Sequence, residues 1–220
     1  MPYNGKYKKE KTDAYKISRS KIENYLNCPR CFYLDRVFGI SQPAGFPFNL
    51  NSAVDYLLKK EFDIHRENKT THPLMKNYGI DAIPYRSDLI NTWRENFVGI
   101  QALHQQTNLL VFGAVDDIWI NPKGELIVVD YKATSKIGDV SLSADWQISY
   151  KRQVANKVSN TAYFVYCNGR RDLEAFDGKL EFDIKIIPYD GNDEWLESTL
   201  FQIKKCLNSD TIPKYSENCD

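Results

Sequence analysis

Two apolar runs separated by four turn residues constrain this chain most: LLVFGAVDDIWI at 109–120 and ELIVVDY at 125–131. Between them stand Asn121, Pro122, Lys123 and Gly124. Pro122 suits the first central position of a type I turn and Gly124 the left-handed position after it, which together describe a three-residue hairpin loop with a bulge. The turn sets the register. Asn121 pairs with Glu125, Trp119 with Ile127, Asp117 with Val129, and Asp116 with Asp130. Side chains alternate along a strand, so Asp116, Asp130 and Lys132 are expected on one face and Asp117, Val129 and Tyr131 on the other.

Like charges opposed across a ladder destabilise it, and carboxylates at the ends of such apolar runs are partly buried, where an unpaired charge is costly. A positive charge is therefore expected between Asp116 and Asp130. Lys132 can neutralise one of them, but a divalent cation held by both accounts better for the geometry. Mg2+ favours one or two carboxylates, with waters and substrate phosphate completing its octahedron. A cation there polarises a phosphodiester and lowers the pKa of a bound water, while Lys132 orients that water or stabilises the phosphate as charge builds. No covalent nucleophile is needed, in keeping with the lack of a Ser/His/Asp or Cys/His grouping around His65, His72 and His104. Two plainer readings stay open: a surface hairpin with solvated acids, and a structural ion pair between one aspartate and Lys132.

Around the hairpin the pattern is helices first, then mixed elements. Ser20 followed by Glu23 makes a capping box that opens a short helix ending at Pro29, and CFYLDRVF continues helically to Gly39. From Asn51, read as an N-cap, a long amphipathic helix carries Val54, Leu57, Leu58, Phe62 and Ile64 on its apolar stripe. A further helix covers about Ser87 to Phe97. TAYFVYCN and LEFDIKIIPY read as strands, SADWQISYKRQVANK as a helix before them, and Asn192 to Cys206 as the last helix. The order argues for a mixed α/β sheet with helices on its faces.

With 220 residues, one substantial core is expected, giving a loose lysine-rich arm over 1–17 and a single domain over 18–220. No apolar run approaches the ~20 residues of a membrane helix, and the N-terminus lacks the apolar core of a signal peptide, so a cytoplasmic protein without a membrane partner is expected. Its 29 basic and 29 acidic residues give no global support for nucleic-acid binding, although basic clusters stand at Lys6 to Lys11, Lys59–Lys60, Lys151–Arg152 and Arg170–Arg171. The neutral balance leaves open a hydrolase of small phosphoesters. Cys28, Cys31, Cys167, Cys206 and Cys219 are odd in number, which argues against a disulfide framework.

G-A-V-D at 113–116, followed by D-Y-K at 130–132 after an apolar strand, resembles the PD-(D/E)XK superfamily, in particular its RecB-like and CRISPR-associated exonuclease branch. SRSKIENYLNCPRCFYL, from Ser18, resembles that branch's N-terminal signature, and Gln153 matches the glutamine of its Q-x-x-x-Y motif. The resemblance implies a restriction-endonuclease-like mixed central sheet flanked by helices, with an N-terminal helical segment. It implies a metal-dependent DNA nuclease, of exonuclease or repair and recombination type, working on DNA beside a helicase or a recombination or replication protein. Asp116 and Asp130 would bind Mg2+ or Mn2+ with the Tyr131 carbonyl, Lys132 would be the catalytic lysine, and Gln153 would contact DNA or position that lysine. Three departures stand against the pattern. The motif tyrosine falls on Lys157, the branch's metal-binding histidine is replaced by Asp55, and of four iron–sulfur cysteines only Cys28 and Cys219 have candidates. Asp55 retains an oxygen donor for a hard cation, and the Cys28–Cys31 pair is alternatively a zinc ligand pair. With these departures the second expectation is a catalytically impaired DNA-binding or complex-assembly module.

Overall fold

The apolar run 109–120 does not form one strand. In the computed structural model, which describes residues 5–43, 49–138, 140, 157–217 and 219, it breaks at 114–116 into β4 (Leu109–Gly113) and β5 (Asp117–Ile120). The backbone between them is engaged elsewhere: Val115 N–H donates to Trp93 O at 3.1 Å, and Asp116 O accepts from Arg94 Nε at 3.0 Å. The two halves enter different sheets. β4 pairs in parallel with β1 (Tyr15–Ser18) and antiparallel with β3 (Ile100–His104). β5 lies between β2 (Ile83–Pro84) and β6 (Leu126–Thr134) in a five-stranded sheet of order β2-β5-β6-β7-β8, with β7 at Thr161–Gly169 and β8 at Phe182–Asp190.

The architecture is thus mixed α/β, in two compact units. One comprises Met1–Phe46, Glu95–Ala114 and Asp193–Asp220, the other Pro47–Arg94 and Val115–Asn192. In the first, Tyr7 and Tyr15 are buried and meet edge to face at 5.1 Å, while residues 8–14 between them are exposed. Two aromatics supply the apolar surface that the lysine-rich composition of this stretch disguises. Ser18, not Ser20, caps the first helix, accepting from Lys21 N–H at 3.3 Å, because Arg19 and Ser20 are already inside α1 (Arg19–Asn27). α2 (Pro29–Tyr33) then widens into a π-helical turn at Leu34–Phe38 that Gly39 ends at φ 77°, a left-handed conformation that glycine adopts without cost. The core of this unit joins Ile17, Phe32 and Leu109 to Ile203 and Leu207 of α6 (Glu194–Leu207).

In the second unit α3 (Asn49–Asn68) buries Leu58 and Phe62, but Leu57 and Ile64, expected on the same stripe, are exposed. The buried line runs at four-residue steps through Leu58, Phe62 and Arg66 instead. Phe62 stacks on His72 at 4.3 Å and on Trp119 at 5.5 Å, and the core continues through Met75 of α4 (Pro73–Asn77), Val129 and Val165. The helix expected over 87–97 shrinks to the single turn α5 (Ile90–Trp93), whose Trp93 carbonyl accepts from Val115 N–H. The helix expected over 143–157 lies almost wholly outside the described residues. Among the described residues, no helix is long and apolar enough to cross a membrane.

One polar cluster is buried in the first unit. Asp35 accepts from Arg36 Nε at 2.7 Å and Nη2 at 2.9 Å, from Ser41 Oγ at 2.6 Å and from Lys21 Nζ at 2.7 Å. Burial alone would raise its carboxyl, yet Arg36, Lys21 and Ser41 hold it at about 2 against an ordinary 3.8. The unfolded chain therefore takes the proton first, so the stabilisation is complete above the ordinary value and lost as pH falls through the folded one. Urea unfolding of the wild-type chain is expected to weaken between about pH 4 and pH 2, and Asp35→Asn should flatten that part of the curve; an unchanged slope would count against the cluster.

Candidate functional site

The turn between β5 and β6 is built as its residues dictate. Gly124 sits at φ 75°, its N–H donates to Asn121 O at 2.9 Å, and the Asn121 side chain accepts from Lys123 N–H at 3.0 Å and Glu125 N–H at 2.9 Å. The ladder follows in the expected register, with Ile120 on Leu126, Trp119 on Ile127 and Asp117 on Val129. It stops one pair short. Asp116 does not face Asp130 in the ladder, because its carbonyl is taken by Arg94. Its carboxylate turns in instead, and Oδ2 accepts the Tyr131 N–H at 2.8 Å. Asp116 is thereby held against the β6 backbone immediately beside Asp130, by a side-chain bond rather than a strand pair.

The neighbouring aspartates have opposite fates. Asp117 is 0% exposed while Asp116 is 27% exposed. Asp117 accepts from Arg66 Nη2, from Arg94 Nη2 at 3.4 Å, from Ile118 N–H at 2.7 Å and from Tyr131 Oη at 2.7 Å. Asp63 bridges the same arginines, at 2.9 Å to Arg66 Nε and 2.8 Å to Arg94 Nη1. Burial would raise the Asp63 carboxyl, but Arg94 and Arg66 pull it below its ordinary value. Burial, reinforced by Asp117, lifts the Tyr131 phenol well above its own. The Tyr131–Asp117 bond places both on the face opposite Asp116, as alternation requires.

On the open side the counter-ions are lysines. Lys132 Nζ pairs with Asp130 Oδ2, and both side chains are about a quarter exposed. Lys59 of α3 stands between Asp55 Oδ2 at 2.7 Å and Asp116 Oδ1 at 3.4 Å. Asp55, one turn before Lys59, is thus linked to Asp116 through an ammonium group. Three carboxylates and two lysines together carry one negative charge, and all five side chains are partly solvent-exposed. Their oxygen donors suit a hard divalent cation.

Sequence reasoning missed Arg66 and Arg94, and named Lys59 only as part of a basic cluster. The signal for Arg66 was present: an arginine in step with Leu58 and Phe62 on a buried stripe requires an acidic partner. Lys59 stands four residues after Asp55 on the same helix, whereas Arg94 had no comparable signal. Gln153 lies outside the described residues. Lys157, where the resemblance places a tyrosine, is exposed and pairs with Glu125 Oε1 at 2.6 Å.

A second cluster lies in the first unit. Cys28, at the start of α2, and Cys31 meet Cys219, whose Sγ is 3.3 Å from each of theirs. Burial would raise the Cys28 thiol, but the backbone N–H groups of Cys31 and Ser216, with Cys219 and Cys31, draw it down to about 6. Hydrogen bonding to Cys219 and then burial push Cys31 up to about 12. Cys206 lies apart, 4.0 Å from Pro29 O, and burial raises both it and Cys167 to about 11, as for unreactive core thiols.

No protein-family model and no curated protein matches the chain.

Because Asp117 is the common acceptor of two buried guanidinium groups, Asp117→Ala leaves both with one carboxylate fewer in a dry site. It should lower unfolding free energy by about 3–5 kcal/mol, measured by urea titration; a loss near zero would mean that water or Asp63 compensates.

Proposed function

We propose that this chain is a Mg2+- or Mn2+-dependent deoxyribonuclease with a restriction-endonuclease-like fold in its second unit. The observation that carries the reading is the group at the end of β5 and on β6: Asp116 held on the Tyr131 N–H, Asp130 paired with Lys132, and both aspartates on the open face. The G-A-V-D and D-Y-K resemblance supplies the reaction class, and the charge of the group supplies a physical reason. A divalent cation and one phosphodiester charge, added to a group that carries one negative charge, leave it neutral.

Asp116, Asp130 and the Tyr131 carbonyl would hold the cation, with Asp55 as a further oxygen donor. When bound, it supplies Lewis acidity and a lowered pKa for water. The chain's own residues do the rest. Arg94 fixes the Asp116 backbone, so the carboxylate is presented without a search over rotamers and turns. Lys132, a compact charge beside Asp130, stabilises negative charge that develops on the phosphate during in-line attack. Lys59, placed between Asp55 and Asp116, offsets one of their two charges, and its ammonium would be within the site to meet substrate phosphate. DNA is the proposed partner, with Gln153 as a proposed DNA contact.

A specific observation favours a second reading, a DNA-binding or complex-assembly module with impaired catalysis. Lys157 replaces the motif tyrosine and is engaged with Glu125, which removes one substrate-positioning group from the pattern.

A nuclease assay separates the two. Wild-type chain with Mg2+ or Mn2+ should degrade linear single- or double-stranded DNA, chelator should stop it, and Lys132→Ala should slow it by at least about a hundredfold. Equal rates for wild type and Lys132→Ala would overturn the catalytic reading. Calorimetric titration with Mn2+ reads the cation site by itself. Lys59→Met should tighten binding about fivefold, as for removal of a competing ion pair worth about 1 kcal/mol, and Asp116→Asn with Asp130→Asn should abolish it.

A further inference from the structure

The sulfur atoms of Cys28, Cys31 and Cys219 all lie within 4.8 Å of one another. Cys28 and Cys31 are three residues apart, bracketing the first turn of α2, whereas Cys219 comes from the far end of the sequence. The preceding stretch, 212–216, forms neither helix nor strand. Three thiols brought together from such distant positions form no disulfide. They also do little as hydrogen-bonding groups, since a thiol is a weak donor and a weak acceptor.

We propose that Cys28, Cys31 and Cys219 form a mononuclear thiolate site for a thiophilic divalent ion of the zinc type, which fastens the C-terminal stretch to the junction of α1 and α2. The spacing selects a single ion. Ligands on a tetrahedral zinc, at about 2.3 Å from the metal, stand about 3.8 Å from one another. The 3.3 Å separations of Cys219 from both partners need only a small expansion to reach that value. The four thiolates of a four-iron cluster each bind a different iron, so they stand further apart than ligands of one ion. The trio does not fit the cluster suggested by the resemblance, and Cys31 is not one of the ligands it names. Soft sulfur donors also exclude the hard cation proposed for the aspartates. A fourth donor, water or another group, completes the tetrahedron. Cys206 is a core thiol on the Pro29 carbonyl and is not a ligand. This site lies wholly in the first unit and does not rest on the nuclease reading.

The test is a Co2+ titration of the full chain, purified under reducing conditions, followed by competition with Zn2+. One equivalent of Co2+ per chain should produce thiolate-to-cobalt charge transfer and tetrahedral d–d bands, which one equivalent of Zn2+ then abolishes. Cys28→Ser and Cys219→Ser should each lose the charge-transfer band, whereas Cys206→Ala should retain it. Should a serine variant fail to fold, alkylation of the wild-type chain decides: Zn2+ should protect three thiols and leave the reactivity of the other two unchanged. Metal removal should also speed proteolytic cleavage of the C-terminal stretch. The proposal is overturned by absence of charge transfer in the wild-type titration. It is equally overturned by several irons with acid-labile sulfide per chain, or by a Cys28–Cys219 disulfide that forms with no metal bound.

Discussion

A single carboxylate without solvent contact, Asp117, organises the second unit. It draws Arg66 from α3, Arg94 from the end of α5, and the Tyr131 hydroxyl from β6 to one point on β5. Taking these charges out of water is costly, and their mutual attraction offsets that cost only because nearly every donor finds an oxygen. Asp63 completes the set by bridging both guanidinium groups. The network acts as a registration device. Slippage of β5 by one residue would expose Asp117 and bury Asp116 against apolar neighbours.

From that constraint follows the division of labour between two adjacent acids. Asp117 is countered by arginines, whose planar forks hold a carboxylate in fixed geometry, and Asp116, Asp130 and Asp55 are countered by lysines. An ammonium on a flexible stem is a point charge that a cation can displace, whereas a two-pronged guanidinium is not easily moved. The buried acid sets the strand, and the lysine-paired acids are partly exposed. Arg94 serves both, since its Nη groups hold Asp63 and Asp117 while its Nε holds the Asp116 carbonyl. This one arginine ends the β5–β6 ladder at Asp117 and turns the Asp116 side chain onto the Tyr131 N–H.

The first unit solves a different problem, that of joining segments distant in sequence. β1 adds to β4 from the N-terminal side, α6 packs from the C-terminal side, and Cys219 meets Cys28 and Cys31. Closing a loop of nearly the whole chain carries an entropic cost that rises only slowly with length. Buried aromatic residues such as Tyr7 and Phe32 are among the contacts available to meet it.

The sequence alone determined whatever local chemistry decides. Pro122 and Gly124 define their turn, the turn defines the register from Asn121 to Asp117, and alternation then separates Asp116 and Asp130 from Asp117 and Tyr131. The strands β6, β7 and β8 and the helices α3 and α6 are long enough for period and composition to reveal them. Tertiary structure decided the rest, because the deciding interactions join residues far apart in the chain. The break at 114–116 depends on Trp93 and Arg94, and β1, β2 and β3 are too short to carry a periodic signal. The lysine on Asp116 comes from a helix more than fifty residues earlier. Along the chain Cys28 and Cys31 read as a candidate zinc pair and Cys219 as a separate iron–sulfur candidate. Only folding brings the Cys219 sulfur to 3.3 Å from both of theirs. Spacing along a chain carries no information about such closures, whereas the packing of buried groups does.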